Sequence, residues 1–345
     1  FTGCTGQGPG HLFTTLQRGA EMKVLNFGSL NLDYVYSVDN FLRPGETKSA
    51  MDRNTFLGGK GFLGASNLMN ILRQTSMISV MAVAGVFVMA AGQIDLTVGA
   101  VAAMTAMLVS LILRSTNSVP LALIAGLGFG AAVGCVNGLL VTKLGLPAFL
   151  ATMGRIPIVR GSAMWITDTA AVPVDNKAFN TVFGIGNVGP VPILIIWTVI
   201  FYIIGILIFN KTPFGRHTLA TGGNEMSAKY SGINTVKVKV IAVTMSGAFA
   251  AFAGIMYAAR LQAGRYSYGD GDEMSVIAAV VLGGTSMSGG TGSVIGALFG
   301  SVLMGMINNA LILAGLSTAQ QTIVKGAIII LAVAISNVAQ RKKIN

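Results

Sequence analysis

The chain has 345 residues, 53% hydrophobic and 10% charged, with 45 glycines, a formal net charge of +11 and a mean hydropathy of +0.71. A water-soluble domain carries about 25% charged residues, so this chain has too few to cover a surface facing water. The basic excess does not point to nucleic acid, because it is strewn between apolar runs close to the roughly 20 residues that cross a ~30 Å hydrocarbon layer as a helix. The pattern is that of an all-α, multi-pass membrane protein, a bundle of about 8–10 membrane helices. Cys4 and Cys135 are the only cysteines, and Cys135 lies inside an apolar run, so neither a disulfide framework nor a cysteine metal site is legible.

In chain order, the first 62 residues stand apart. They contain Arg18, Lys23, Arg43, Lys48, Arg53 and Lys60 with Glu21, Asp33, Asp39, Glu46 and Asp52, and no run long enough to span a bilayer. Residues 1–21, which precede Met22 and lack a signal-peptide pattern, are read as an unassigned tail, of fused or upstream origin. Val24–Phe27 reads as a short strand entering a polar turn at Gly28-Ser29-Leu30-Asn31-Leu32-Asp33. Pro44-Gly45-Glu46-Thr47 and Gly58-Gly59-Lys60-Gly61 follow. Together, residues 22–61 resemble the opening of a ribokinase-type sugar kinase, in which the Asp after the first strand and the Gly-Gly-Lys-Gly turn contact sugar hydroxyls. Leu63 stands where that family has an Asn, and nothing downstream supplies its catalytic Asp or nucleotide site, so no kinase activity is expected of it.

From residue 62 to 345 the chain reads as one membrane domain. Apolar periods predict helices near 76–91, 99–113, 119–141, 147–166, 190–210, 236–260, 288–314 and 321–338, with a shorter element at 274–283. Lys143, the group Lys211, Arg216, Lys229, Lys237 and Lys239, and the tail Arg341-Lys342-Lys343 mark three cytoplasmic positions. The connection 167–189, with Asp168, Asp175 and Lys177, then faces outward. Four crossings are required between Lys239 and Arg341, so the element at 274–283 must be completed into a crossing by its glycine neighbours. Counting back from Lys143 places the start of the helix at 76 outside, a parity that one further helix ahead of it would repair.

Glycines recur every four residues at Gly126, Gly130, Gly134 and Gly138 and again at Gly292, Gly296 and Gly300, which puts a flat stripe on one helix face. Such stripes let helices approach closely in lipid; a glycine-lined substrate path is the alternative.

From Phe62 onward the sequence resembles the permease subunit of ribose-type ABC sugar importers. The matching stretches are Asn67–Ser76, Ile94-Asp95-Leu96-Thr97-Val98-Gly99, Asn137–Thr142, Gly222-Gly223-Asn224-Glu225 with Ser231-Gly232-Ile233-Asn234, Ala279–Ser286 and Gln321–Gly326. The resemblance implies a ten-helix subunit of the bacterial inner membrane, with the family's first helix replaced here by the kinase-like segment. It also implies a homodimer that receives a monosaccharide, ribose or a related pentose, from a periplasmic sugar-binding protein. A separate ABC ATP-binding subunit would supply the power. No Walker A pattern occurs in the chain, so ATP is expected to be used by that partner and no cofactor or metal is expected on this chain.

The same resemblance makes Gly222, Gly223, Asn224, Glu225, Ser231 and Gly232 the ATPase-coupling element, with Asn224 as the N-cap of a short helix; an ordinary amphipathic loop is the alternative. Four polar residues in apolar surroundings are candidates for the substrate path: Asp95, Asn137, Asn308 and Asn309. Asp95 is equally an N-cap for the helix beginning near Thr97, and Asn308 and Asn309 are equally hydrogen-bonding links between helices. Arg155 and Arg160 are read as pairing with carbonyls or reaching an interface. Asp270, Asp272 and Glu273 lack the ordered six to eight ligands of a Ca²⁺ site and are read as a solvated loop. His11 and His217 form no dyad. An autonomous secondary sugar transporter or channel is the competing function, and the near-solitary Asp95 counts against the coupling-ion carboxylates it would need.

Overall fold

A computed structural model of the protein describes residues 23–29, 32–38, 52–55 and 64–344. Strands β1 (Lys23–Ser29), β2 (Leu32–Val38) and β3 (Asp52–Thr55) form an antiparallel sheet in that order. The strand expected at Val24–Phe27 lies within β1, but the polar turn read over 28–33 is narrower, since Gly28 pairs with Asp33 and Ser29 with Leu32. The 44–47 and 58–61 turns lie outside the described residues.

The membrane domain opens with α1 (Ala65–Ala90), 26 residues long. It begins well before the expected residue 76 because its polar first turns find partners on other elements. Asn67 Nδ2 donates to Asn309 Oδ1 at 3.1 Å, and Arg73 Nη2 donates to Asn187 Oδ1 at 3.1 Å. Helices α2 (Val98–Thr116), α3 (Val119–Lys143) and α4 (Ala148–Thr167) follow. After the two-residue strand β4 (Val172–Pro173) come the single turn α5 (Lys177–Asn180) and a π-helical turn, Thr181–Ile185. The ribbon β5 (Asn187–Val188) and β6 (Val191–Pro192) leads into α6 (Ile193–Lys211), then α7 (Pro213–Gly223), α8 (Glu225–Tyr230) and α9 (Thr235–Leu261). Strand β7 (Ala263–Gly264) pairs with β4. The chain ends with α10 (Asp272–Leu282), α11 (Val294–Leu313) and α12 (Thr318–Ile344).

Among the described residues six helices are long and apolar enough to cross a membrane: α1, α2, α3, α6, α9 and α11. Helix α4 crosses the bundle with Arg155, Pro157 and Arg160 inside it. With only 11 residues, α10 spans about 16 Å at 1.5 Å per residue, half of a bilayer core. The remainder of its crossing is the non-helical segment 283–293, which runs alongside the start of α11 and ends against the C-terminus of α1, where the Gly290 amide donates to the Ala90 carbonyl at 3.0 Å. Irregular backbone at this depth is tolerated only where protein covers it, and α1, α7 and α11 do so. Of the four passes expected between the basic residues at 239 and 341, α9 and α11 are long and apolar enough to cross, α10 is too short alone, and the apolar part of α12, Ala319–Ala334, is shorter than a full span.

Helix α9 is the axis of the bundle. A Cβ at Gly130 would overlap the Gly247 carbonyl oxygen, one at Gly134 the Val243 carbonyl oxygen, and one at Gly138 would sit 2.9 Å from Val240 Cα. The first glycine stripe is thus the face on which α3 lies antiparallel to α9, backbone on backbone, the close packing available to small residues in lipid. The second works alike: Gly296 meets Gly283 and Gly300 meets Ala279, which seats α11 on α10.

Candidate functional site

Three polar regions interrupt this apolar bundle. The first is the elbow that joins α6 to α9. Asn224 caps α8, its side chain accepting from the Ser227 amide at 2.9 Å, as its place before Glu225 and Ser227 suggested. Glu225 opens that helix and straps it to the next one: its Oε2 accepts from Lys239 Nζ at 2.6 Å, and its Oε1 from Thr235 Oγ1 at 3.1 Å and from Lys229 Nζ at 3.1 Å. The Lys239 ammonium, more than any other group, holds the Glu225 carboxyl down at about 2, with Lys229 and Thr235 assisting against partial burial. Ser231 and Gly232 form the exposed turn after α8, with Gly232 at φ 82°, and Met226 and Tyr230 point outward, 56% and 85% exposed.

Gly222 and Gly223 end α7, Gly222 packed inward and Gly223 exposed at the edge of the same contact. A Cβ on Gly222 would overlap the Ala90 carbonyl and come within 2.8 Å of the Gly290 amide nitrogen. Across from it, Gly92, Gly289 and Gly290 have φ of 72°, 85° and 79°, the left-handed region that glycine enters without steric cost. Five glycines thus make a joint in which the elbow, the end of α1 and the non-helical half of the α10 crossing touch through main chain alone.

The second region is a chain of hydrogen bonds linking α2, α3 and α4. Asp95 Oδ1 accepts from the Thr97 amide at 2.9 Å and from Thr97 Oγ1 at 2.6 Å. Asn137 Nδ2 donates to Thr97 Oγ1 at 3.0 Å, and Arg155 Nη1 donates to Asn137 Oδ1 at 3.0 Å. Asp95 therefore closes a turn just ahead of α2, and its bonds end on Thr97, the residue at the helix's N-cap position. Asn137 is fully buried and occupied at both ends. Arg155 thus pairs with a carbonyl oxygen, the one on the Asn137 side chain.

The third region lies at the opposite end of the bundle from the elbow. A half-open cavity of ≈ 260 Å³ is lined by α1, α9, α10, α11 and α12. Asn308 lines it, and its buried Oδ1 has no hydrogen-bond partner among the described residues. Its neighbour Asn309 turns away to receive the Asn67 bond, so the two asparagines divide: one is a link between helices and the other a wall group. The reading of residues 270–273 as a solvated loop needs correction. Asp272 is half-buried and accepts from Tyr257 Oη at 2.6 Å, and Asp270 pairs with Arg160 Nη1 at 2.6 Å while staying largely exposed. An apolar run around Tyr257 concealed its partnership with a carboxylate 15 residues on. Gln74, Arg260 and Lys325 also line this cavity, and none was singled out from the sequence, because the three stand on three different helices.

These features can be set beside known proteins. A family model described as "Branched-chain amino acid transport system / permease component" matches residues 67–333. The chain belongs to this permease family. The ribose import permease protein of Escherichia coli K12 is 38% identical over 282 residues, covering 81% of this chain and 88% of that one. The ribose import permease protein of Bacillus subtilis 168 is 39% identical over 275 residues (79% and 85%). The L-arabinose transport system permease protein of Escherichia coli K12 is 36% identical over 268 residues (78% and 81%). No solved structure matches. Six apolar spans within a permease family make this a multi-pass inner-membrane protein.

Proposed function

We propose that the chain is the membrane-spanning subunit of an ABC importer for a monosaccharide, ribose or a related pentose, and that it works as a homodimer. The family name mentions branched-chain amino acids, but the relatives with 36–39% identity are named for ribose and L-arabinose.

The observation that carries this reading is the elbow. A capped, rigid α8, strapped by Glu225 to α9 and exposing Met226 and Tyr230, is a handle for a cytosolic ATP-binding subunit, and Gly222-Gly223 place that handle directly on α1 and on the α10 crossing. A rotation of the partner is passed to these elements as a displacement of packed backbone. ATP is bound by the partner and the sugar arrives on an external binding protein; among the described residues no cluster of His, Cys, Asp and Glu is placed to hold a metal ion. Residues 22–61 are a sugar-kinase-like remnant without catalysis, a reading that rests on the sequence alone.

Uptake into proteoliposomes tests the proposal. Labelled ribose should accumulate when the chain is joined by its ATP-binding and sugar-binding partners and ATP, and should not accumulate under a proton or sodium gradient alone. Uptake driven by a gradient without nucleotide would replace it with the secondary-transporter reading.

A further inference from the structure

The elbow explains how force enters the molecule, but not where the cargo rests within it. Of the polar regions, the cavity at the far end is the one where an unpartnered polar atom lies beside a space. The Asp95–Thr97–Asn137–Arg155 chain is internally satisfied except for Asp95 Oδ2. In the cavity, by contrast, Asn308 Oδ1 is buried with no partner, which is costly for a desolvated acceptor unless something else supplies a donor.

The wall is mixed in a way that selects hydroxyl groups. Gln74 and Asn308 each offer a donor and an acceptor, Asp272 accepts, and Arg260 and Lys325 donate. A hydroxyl does both at once, so a molecule with several hydroxyls is matched by a ring of alternating donors and acceptors, whereas a phosphate would face the Asp272 carboxylate. Arg260 is already tethered, Nη1 to the Arg73 carbonyl at 3.4 Å, and Tyr257 is fixed by Asp272 and stacked on Tyr268 with ring centroids 5.6 Å apart. The wall is therefore preset. At ≈ 260 Å³ the space falls below the 300–1,000 Å³ typical of pockets for drug-sized ligands, which leaves room for one sugar ring.

We infer that this cavity is a sugar-binding site within the permease itself, in which Asn308, Gln74 and the Tyr257–Asp272 pair hold the hydroxyls of a single monosaccharide after it enters from outside. The inference rests on the proposed sugar import, yet it adds that the permease chooses among sugars instead of leaving that wholly to the binding protein. Helix α10 joins the two ends: its first turn carries Asp272 in the cavity wall and its extension reaches the glycine joint, so movement at the elbow alters this wall.

Two measurements on the full chain test it. In nanodiscs, with Cys4 and Cys135 replaced by Ser, alkylation of Ser275→Cys in the cavity wall should slow at least about threefold in millimolar ribose or arabinose and stay unchanged in millimolar phosphate. In the reconstituted importer, Asn308→Ala and Gln74→Ala should change the preference for ribose over 2-deoxyribose or 3-deoxyribose about tenfold, because a site that bonds a hydroxyl discriminates against its absence. The same binding protein serves all variants, so a change in the ratio belongs to the permease. Sugar protection without ATP-driven uptake would keep the site and overturn the importer reading. Normal uptake with no protection, or variants whose uptake falls with an unchanged ratio, would overturn the site.

Discussion

The two ends of the bundle are built on opposite principles. At the elbow, Gly222 lies against Ala90 and Gly290 with no side chain between them, and the one ion cluster, around Glu225, fixes α8 to α9. At the far end, side chains of five helices stand back from one another around a cavity and leave an amide oxygen unbonded. Backbone pressed on backbone passes on a displacement with little loss, because packed interiors yield poorly. A polar hollow does the reverse and adjusts to an occupant. The difference suits an end that receives force and an end that receives cargo.

The largest effect is expected from filling the joint. Gly222→Val drives carbon into the Ala90 carbonyl and the Gly290 amide, neither of which can swing aside as a side chain would, so ATP-driven uptake should fall about tenfold or more while the inserted protein keeps its helical circular dichroism. Normal uptake in that variant would erase the mechanical contrast between the ends. Next is the buried chain at Asn137. Asn137→Ala strands Thr97 and Arg155, and intramembrane hydrogen bonds average about 0.6 kcal/mol with a maximum near 1.7, so a loss of ~1–2 kcal/mol is expected in unfolding by denaturing detergent.

Glu225→Gln should cost less, up to about 1 kcal/mol, since its side chain is 36% exposed and solvent weakens such pairs. The sign with pH is definite. Because Lys239 holds the folded carboxyl down at about 2, from an ordinary 4.5, the strap is fully present above the ordinary value and is lost as pH falls from there through 2. Amide hydrogen exchange in α8 should therefore quicken over that window in the wild type, and Glu225→Gln should remove the dependence. The smallest effect is Arg160→Ala. Asp270 is 75% exposed, so the thermal midpoint in detergent should move only by the equivalent of about 0–1 kcal/mol; a larger fall would show that the bridge ties α4 to the loop before α10 more firmly than its exposure implies.

Much of the scaffold was legible because lipid imposes length and composition together. The apolar runs, the two glycine stripes and the Asn224 cap follow from one-dimensional spacing. The start of α1 was not legible: Asn67, Arg73 and Gln74 look like the end of an apolar run until their partners in distant elements are known. The cavity was legible only through Asn308. Its other polar groups are single residues from four further helices, and no spacing in the sequence brings Gln74, Tyr257, Asp272 and Lys325 to one wall. Asp272 was misread for the same reason, since three acids among glycines look solvated until Tyr257 is placed beside one of them.

The half-length α10 also bears on how the molecule is made. A pass finished by open main chain has no independent life in oil, so it cannot settle until α1 and α7, already synthesised, and α11, emerging behind it, stand on either side. The Gly290-to-Ala90 bond joins positions 200 residues apart in the chain, so the inner joint is among the last pieces of the fold to close during biogenesis.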